Sequence, residues 1–126
     1  MSIEQLTFFE PVDTKAVREI VIKELKDYRA IKVQLENQKE CETRGMKAFP
    51  SLRDSSAFNE LKVKQMERAL QNSLDDEERM IIEKKYLTAA RVKDINIYMD
   101  LGITKNAYYR LKKRAIYRLA TALGII

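Results

Sequence analysis

The 126-residue chain contains no histidine. That absence removes the usual general base near neutral pH, the Ser–His and Cys–His nucleophile pairs, and the commonest zinc ligand. A single cysteine, Cys41, excludes an internal disulfide and any multi-cysteine metal site. The three glycines, Gly45, Gly102 and Gly124, stand too far apart to form a phosphate-cradling loop. With only two prolines besides, the chain has little turn chemistry for a sandwich or barrel. No run approaches the roughly 20 apolar residues that span a bilayer. The opening "MSIEQLTFFEPVD" lacks the basic start and apolar core of a signal peptide. A cytoplasmic protein with no catalytic residues, metal or cofactor is the expectation.

What the chain does hold is helix-forming residues and an uneven charge. Lys, Glu, Leu, Ala, Arg and Met dominate, which favours an all-α fold. Six of the 24 Lys and Arg residues, and no Asp or Glu, lie from Thr104 to the C-terminus. The rest of the chain then carries 18 basic residues against 19 acidic ones. The positive excess is concentrated in one segment.

Residues 1–12 read as an irregular lead ended by Pro11. Asp13 is positioned to cap a long amphipathic helix over about 14–42, whose apolar stripe is Val17, Ile20, Val21, Leu25, Tyr28, Ile31 and Leu35. A packing or dimerisation role suits that stripe. The stretch "TRGMKAFPSLRDSS", 43–56, breaks the pattern and reads as a linker. Ser56 can cap a second helix, with Phe58, Leu61, Met66, Ala69 and Leu70 as its apolar positions, and this helix should fold back on the first as a helical hairpin or bridge it to the C-terminal part. This arrangement predicts residues 1–55 as a helical arm for oligomerisation with its linker, and 56–126 as a separate domain.

In "DDEERMIIEKKYL", Asp75 at an N-cap and Glu78 three residues later form a capping-box pattern. Asp76 and Glu77 sit at the positive end of the helix dipole, and Lys84 and Lys85 near the other end. A structural role therefore accounts for these acids. After the connection 88–93, Asp94 can cap a short helix, "INIYMDL", which ends at Gly102. Thr104 can then cap a final helix over about 105–123. A short helix, a glycine turn and a capped basic helix make a helix-turn-helix signature.

On the final helix, Tyr108, Leu111, Ala115, Leu119, Ala122 and Leu123 share one side. Asn106, Arg110, Lys113 and Tyr117 fall opposite, flanked by Tyr109 and Arg114. Lys112 and Arg118 lie near the apolar side, so each must snorkel or reach a phosphate along the flank. In the first turns, Lys105, Asn106, Tyr109 and Arg110 are candidates for base edges in a major groove, because Asn can pair with adenine and Arg with guanine. Lys113, Arg114 and Tyr117 are candidates for phosphates, with Thr104 at the cap. About four to six phosphates would be neutralised on this reading.

The segment Leu74–Ile126, "LDDEERMIIEKKYL…VKDINIYMDLGITKNAYYRLKKRAIYRLATAL", resembles the C-terminal half of the ArpU-type phage transcriptional regulators, which are related in logic to the RinA-type activators. It is also similar to the helix-turn-helix of sigma factor region 4. The resemblance implies a sequence-specific double-stranded-DNA-binding regulator that activates phage or prophage late genes in a bacterial host cell, associated with the nucleoid. Promoter or operator DNA and RNA polymerase are the partners expected on this reading; the long apolar stripe of the N-terminal helix predicts self-association (a homo-oligomer) or a partner contact, and the lack of a long apolar run predicts no membrane. Two alternatives are a sigma-like factor that rides on RNA polymerase and a phage DNA-packaging or adaptor protein.

Overall fold

The computed structural model describes residues 13–126; the irregular lead expected over 1–12 lies outside them. Among the described residues the fold is five α-helices with no strand. They are α1 (Thr14–Arg44), α2 (Ser56–Asn72), α3 (Asp76–Tyr86), α4 (Asp94–Leu101) and α5 (Lys105–Ala122).

Helix α1 begins where the Asp13 carboxylate accepts hydrogen bonds from the Lys15 and Ala16 N–H groups, at 3.0 and 3.2 Å. It runs uninterrupted until Gly45, whose left-handed φ of 67° lets the chain turn back on the last carbonyls. The buried positions are Val17, Val21, Leu25 and Tyr28, all in the first half. Ile20 is exposed, and Ile31 and Leu35 are only half-buried. The apolar stripe is thus an anchor at one end of the helix rather than a seam along its whole length.

Helix α2 returns antiparallel along α1. Lys62 pairs with Glu24 at 2.9 Å, and Asn59, buried, donates to Gln34 at 2.8 Å. Its start differs from expectation: Ser55 occupies the cap position, and Ser56 is the first helical residue. The Asp54 carboxylate accepts from both the N–H and the hydroxyl of Ser56. Phe58 and Leu61, expected in the core, point outward, while Met66, Ala69 and Leu70 are buried. The α2–α3 junction is fastened by Arg79, whose guanidinium donates to the carbonyls of Leu70, Gln71 and Leu74 at 2.9–3.3 Å. Those of Leu70 and Gln71 are carbonyls that a helix end otherwise leaves without partners.

The main core joins Val17, Val21, Leu25 and Tyr28 of α1 to Met66 and Leu70 of α2, Ile82 and Tyr86 of α3, and Ala115, Ile116, Leu119 and Ala120 of α5. The domain boundary expected at residue 55 therefore cuts through one continuous core. The physical reason is plain: Leu119 and Ile116 bury their surface against the α1 stripe, and the C-terminal helices cannot cover it alone. Val21 and Leu25 are fully buried.

Leu25→Ala is expected to cost about 2–5 kcal/mol by the cavity it leaves, and Leu35→Ala well under half of that. Urea unfolding measures both. A fragment of residues 56–126 should show no cooperative transition; cooperative unfolding of that fragment would restore the two-domain division.

Candidate nucleic-acid interface

Helices α4 and α5 are set by a tight turn. Gly102 adopts φ 68°, and the Gly102 and Ile103 N–H groups donate to the carbonyls of Met99 and Tyr98. A Cβ at Gly102 would meet nothing within 4 Å, so the left-handed backbone, not space, is what calls for glycine. The Thr104 hydroxyl accepts from the Ala107 N–H at 3.1 Å and opens α5. A second small core, made of Ile81, Ile97, Tyr108 and Leu111, holds the two helices together. Tyr108 is fully buried, as its place on the apolar face requires. Tyr98, on the turn side of α4, packs its ring 5.6 Å from that of Tyr108.

Asp94 does not cap α4. Lys93 holds the cap position, and the Asp94 carboxylate turns inward. It accepts a short hydrogen bond from the Tyr108 hydroxyl and one from Lys112 at 3.1 Å, and lies 3.5 Å from Lys85. Lys112 also sits 5.6–5.9 Å from the ring centres of Tyr86, Tyr108 and Tyr109. Partial burial works to raise the Asp94 carboxyl. The hydrogen bonds from Tyr108 and Lys112, with the charges of Lys112 and Lys85, outweigh it and hold the group below its ordinary value. Lys85 further donates to the Val92 carbonyl at 2.9 Å, which ties down the 87–93 connection.

A second carboxylate fixes the other half of α5. Glu78 is 0% exposed. One of its oxygens accepts from the Asp75 N–H at 2.8 Å, completing the capping box on α3. The same carboxylate meets Arg114 at 2.9 Å and Arg118 at 2.6 Å, and Asp75 lies 3.2–3.4 Å from both guanidinium groups.

These contacts redistribute the expected site. Arg114 is engaged with Glu78 and Asp75, so it is not an open phosphate grip. Tyr117 is half-buried and packs against the main core instead of facing solvent. Lys112 and Arg118, expected to snorkel or reach outward, answer acids of α4 and α3. Ala122 is exposed, and Ile116 and Ala120 take its place in the core. What remains outward on α5 is Lys105, Asn106, Tyr109, Arg110 and Lys113, beside Thr104. Among the described residues the cations Lys105, Arg110 and Lys113 make no ion pair. Tyr109, 43% exposed, stands edge-on to Tyr108 at 5.1 Å, and its hydroxyl lies 3.5 Å from Asp94. Arg91 and Lys93, in the connection ahead of α4, are also exposed, and Lys93 adjoins Asp94, which meets Tyr108, Tyr109 and Lys112 of α5. Their signal was two bare cations ahead of the helix-turn-helix.

The arrangement can present a rigid, cationic, hydrogen-bonding helix start to an anion-lined groove. No helix among the described residues is long and apolar enough to cross a membrane. No protein-family model, curated protein or solved structure matches the chain.

Two outcomes follow from the buried charges. Glu78→Gln keeps an oxygen for the cap and Arg118 but removes the negative charge and turns the acceptor facing Arg114 into a donor, and should cost about 1.5–3 kcal/mol in urea unfolding. Burial pushes the Tyr86 hydroxyl up to about 12 from 10.0, and burial with the Asp94 bond pushes Tyr108 higher still. A raised tyrosine pKa stabilises the fold fully below the unfolded value and ceases to do so as pH rises through the folded one. Stability should therefore decline between about pH 10 and pH 12, with Tyr86 and Tyr108 ionising only as the chain unfolds. Near-ultraviolet absorbance reads this directly, and ionisation of all the tyrosines in one step at the ordinary value would contradict it.

Proposed function

We propose that this chain is a sequence-specific double-stranded-DNA-binding transcription regulator of the ArpU type, acting as an activator of phage or prophage late genes in the cytoplasm of a bacterial host. The observation that carries the reading is the division of cations on α5. Lys112, Arg114 and Arg118 are turned to internal acids, whereas Lys105, Arg110 and Lys113 point outward with Asn106 and Tyr109, directly after a glycine turn. A helix whose outward face were only solvated would not call for that pattern at its first turns. In this reading Asn106, Tyr109 and Arg110 enter the major groove, and Arg110 addresses a guanine edge. Lys105 and Lys113 grip phosphates, joined by Lys93 and Arg91 from the connection ahead of α4. Activation, and contact with RNA polymerase, come from the resemblance of Leu74–Ile126 to that family.

Arg110→Ala should weaken the preferred site by roughly ten- to a hundredfold with the unfolding transition unchanged. Lys113→Ala should weaken specific and random DNA about equally and flatten the salt dependence by about one unit. With about two to four phosphates left to neutralise, the log–log slope should be about −2 to −4. Competition binding against selected and random duplexes, repeated over a salt series, measures all three. A slope near zero sinks the DNA reading. Equal loss of specific and random binding in both variants makes Arg110 a phosphate contact and moves base reading to Asn106 and Tyr109.

A further inference from the structure

The end of the α1–α2 hairpin carries large apolar side chains that the fold does not cover. Phe49 is 81% exposed, Leu52 fully exposed, Phe58 60% and Leu61 50%. Leu52 and Phe58 line one shallow cleft with Pro50, and its floor holds the Asn59–Gln34 hydrogen bond. Phe58 and Leu61 are neighbours on α2 by their spacing of three. The surface is also held in shape. Lys62, anchored by Glu24, lies 5.5 Å from the centre of the Phe58 ring, and Asp54 fastens the loop to the start of α2.

We infer that this hairpin end is the contact between two copies of the chain, paired about a twofold axis. Three considerations select a second copy as the occupant. The four side chains expose on the order of 500 Å² per copy, most of the roughly 800 Å² that each partner contributes to a standard interface. Charge is balanced there: positions 31–62 hold six basic residues, Lys32, Lys39, Arg44, Lys47, Arg53 and Lys62, against five acidic ones. A nucleic acid or a strongly charged protein would call for an excess of one sign, whereas a balanced, mixed surface meets its own copy without net repulsion. Finally, an isologous pairing needs one patch that serves both partners, and Phe58, held under Lys62, with the exposed Leu52 across the same cleft supplies one. The α1 stripe of Val17, Val21, Leu25 and Tyr28 cannot play this part, because it is spent inside the core.

The inference does not depend on the DNA reading, and its test uses no DNA. Sedimentation equilibrium of the full chain at micromolar concentrations should show mass rising from one chain to two. The double variant Leu52→Glu, Phe58→Glu should remain a single chain over the same range, its pairing weakened at least tenfold, while its unfolding transition stays at the wild-type position. Should the double variant fail to fold, Leu52→Glu alone carries the test, since that side chain touches little of the protein. A control pair on α4, Ile95→Glu with Met99→Glu, alters two other exposed apolar residues and should dimerise like wild type. A wild-type chain that stays single at every concentration overturns the inference and leaves the patch to a different protein. Dimerisation that survives Leu52→Glu, or that is lost in the α4 control instead, overturns it as well.

Discussion

A carboxylate buried without water must find positive charge, and Glu78 organises much of this fold around that need. Its desolvation is unfavourable unless the charge is paired and its lone pairs are filled. Here two guanidinium groups and a backbone N–H fill them. Because Arg114 and Arg118 are one helical turn apart on α5, a single acid on α3 fixes both the rotation of α5 and its position along its axis. The capping-box residue is at once the clamp on the basic helix. Loss of the charge would leave α3 capped but α5 held only by its apolar packing and by Asp94.

Asp94 performs the matching task nearer the turn. It draws in Tyr108 and Lys112 from the first half of α5 and Lys85 from α3. Each hub consumes cations that composition alone would assign to a binding face. Three of the six cations on the last helix are consumed this way, so the outward charge is about half of what the segment's net charge suggests. The gain is orientation: Lys105, Arg110 and Lys113 are held on a helix that cannot rotate, and pre-organised groups lose less entropy when they meet a partner.

Local rules made much of this legible in the sequence. Helix limits followed from caps and breakers, because Asp13, Gly45, Gly102 and Thr104 act within a few residues of themselves. The burial of Tyr108 followed from helical period. What the sequence hid is whatever depends on a partner far along the chain. Nothing local distinguishes Arg114, which meets an acid 36 positions away, from Lys113, which faces outward. Periodicity likewise placed Phe58 and Leu61 on an apolar face without revealing that α1 ceases to be buried beyond Tyr28. Tyr117 was misplaced for a related reason: the main core wraps further round α5 than one stripe, since α1 and α3 both pack on it.

The segment that looked like a flexible linker has a different mechanical meaning once α1 is seen whole. Residues 43–56 close the expected hairpin between α1 and α2, and α1 itself spans about 46 Å without a glycine or proline. Its first half is locked into the core that carries α5, and its second half holds the apolar hairpin end. Without a helix breaker between Val17 and Arg44, no hinge separates the two halves. Any partner seated on Phe49, Leu52 and Phe58 is therefore fixed in direction relative to Arg110 by a continuous helix, and under the proposed pairing the distance between the two copies of α5 would follow from α1's length rather than from linker flexibility.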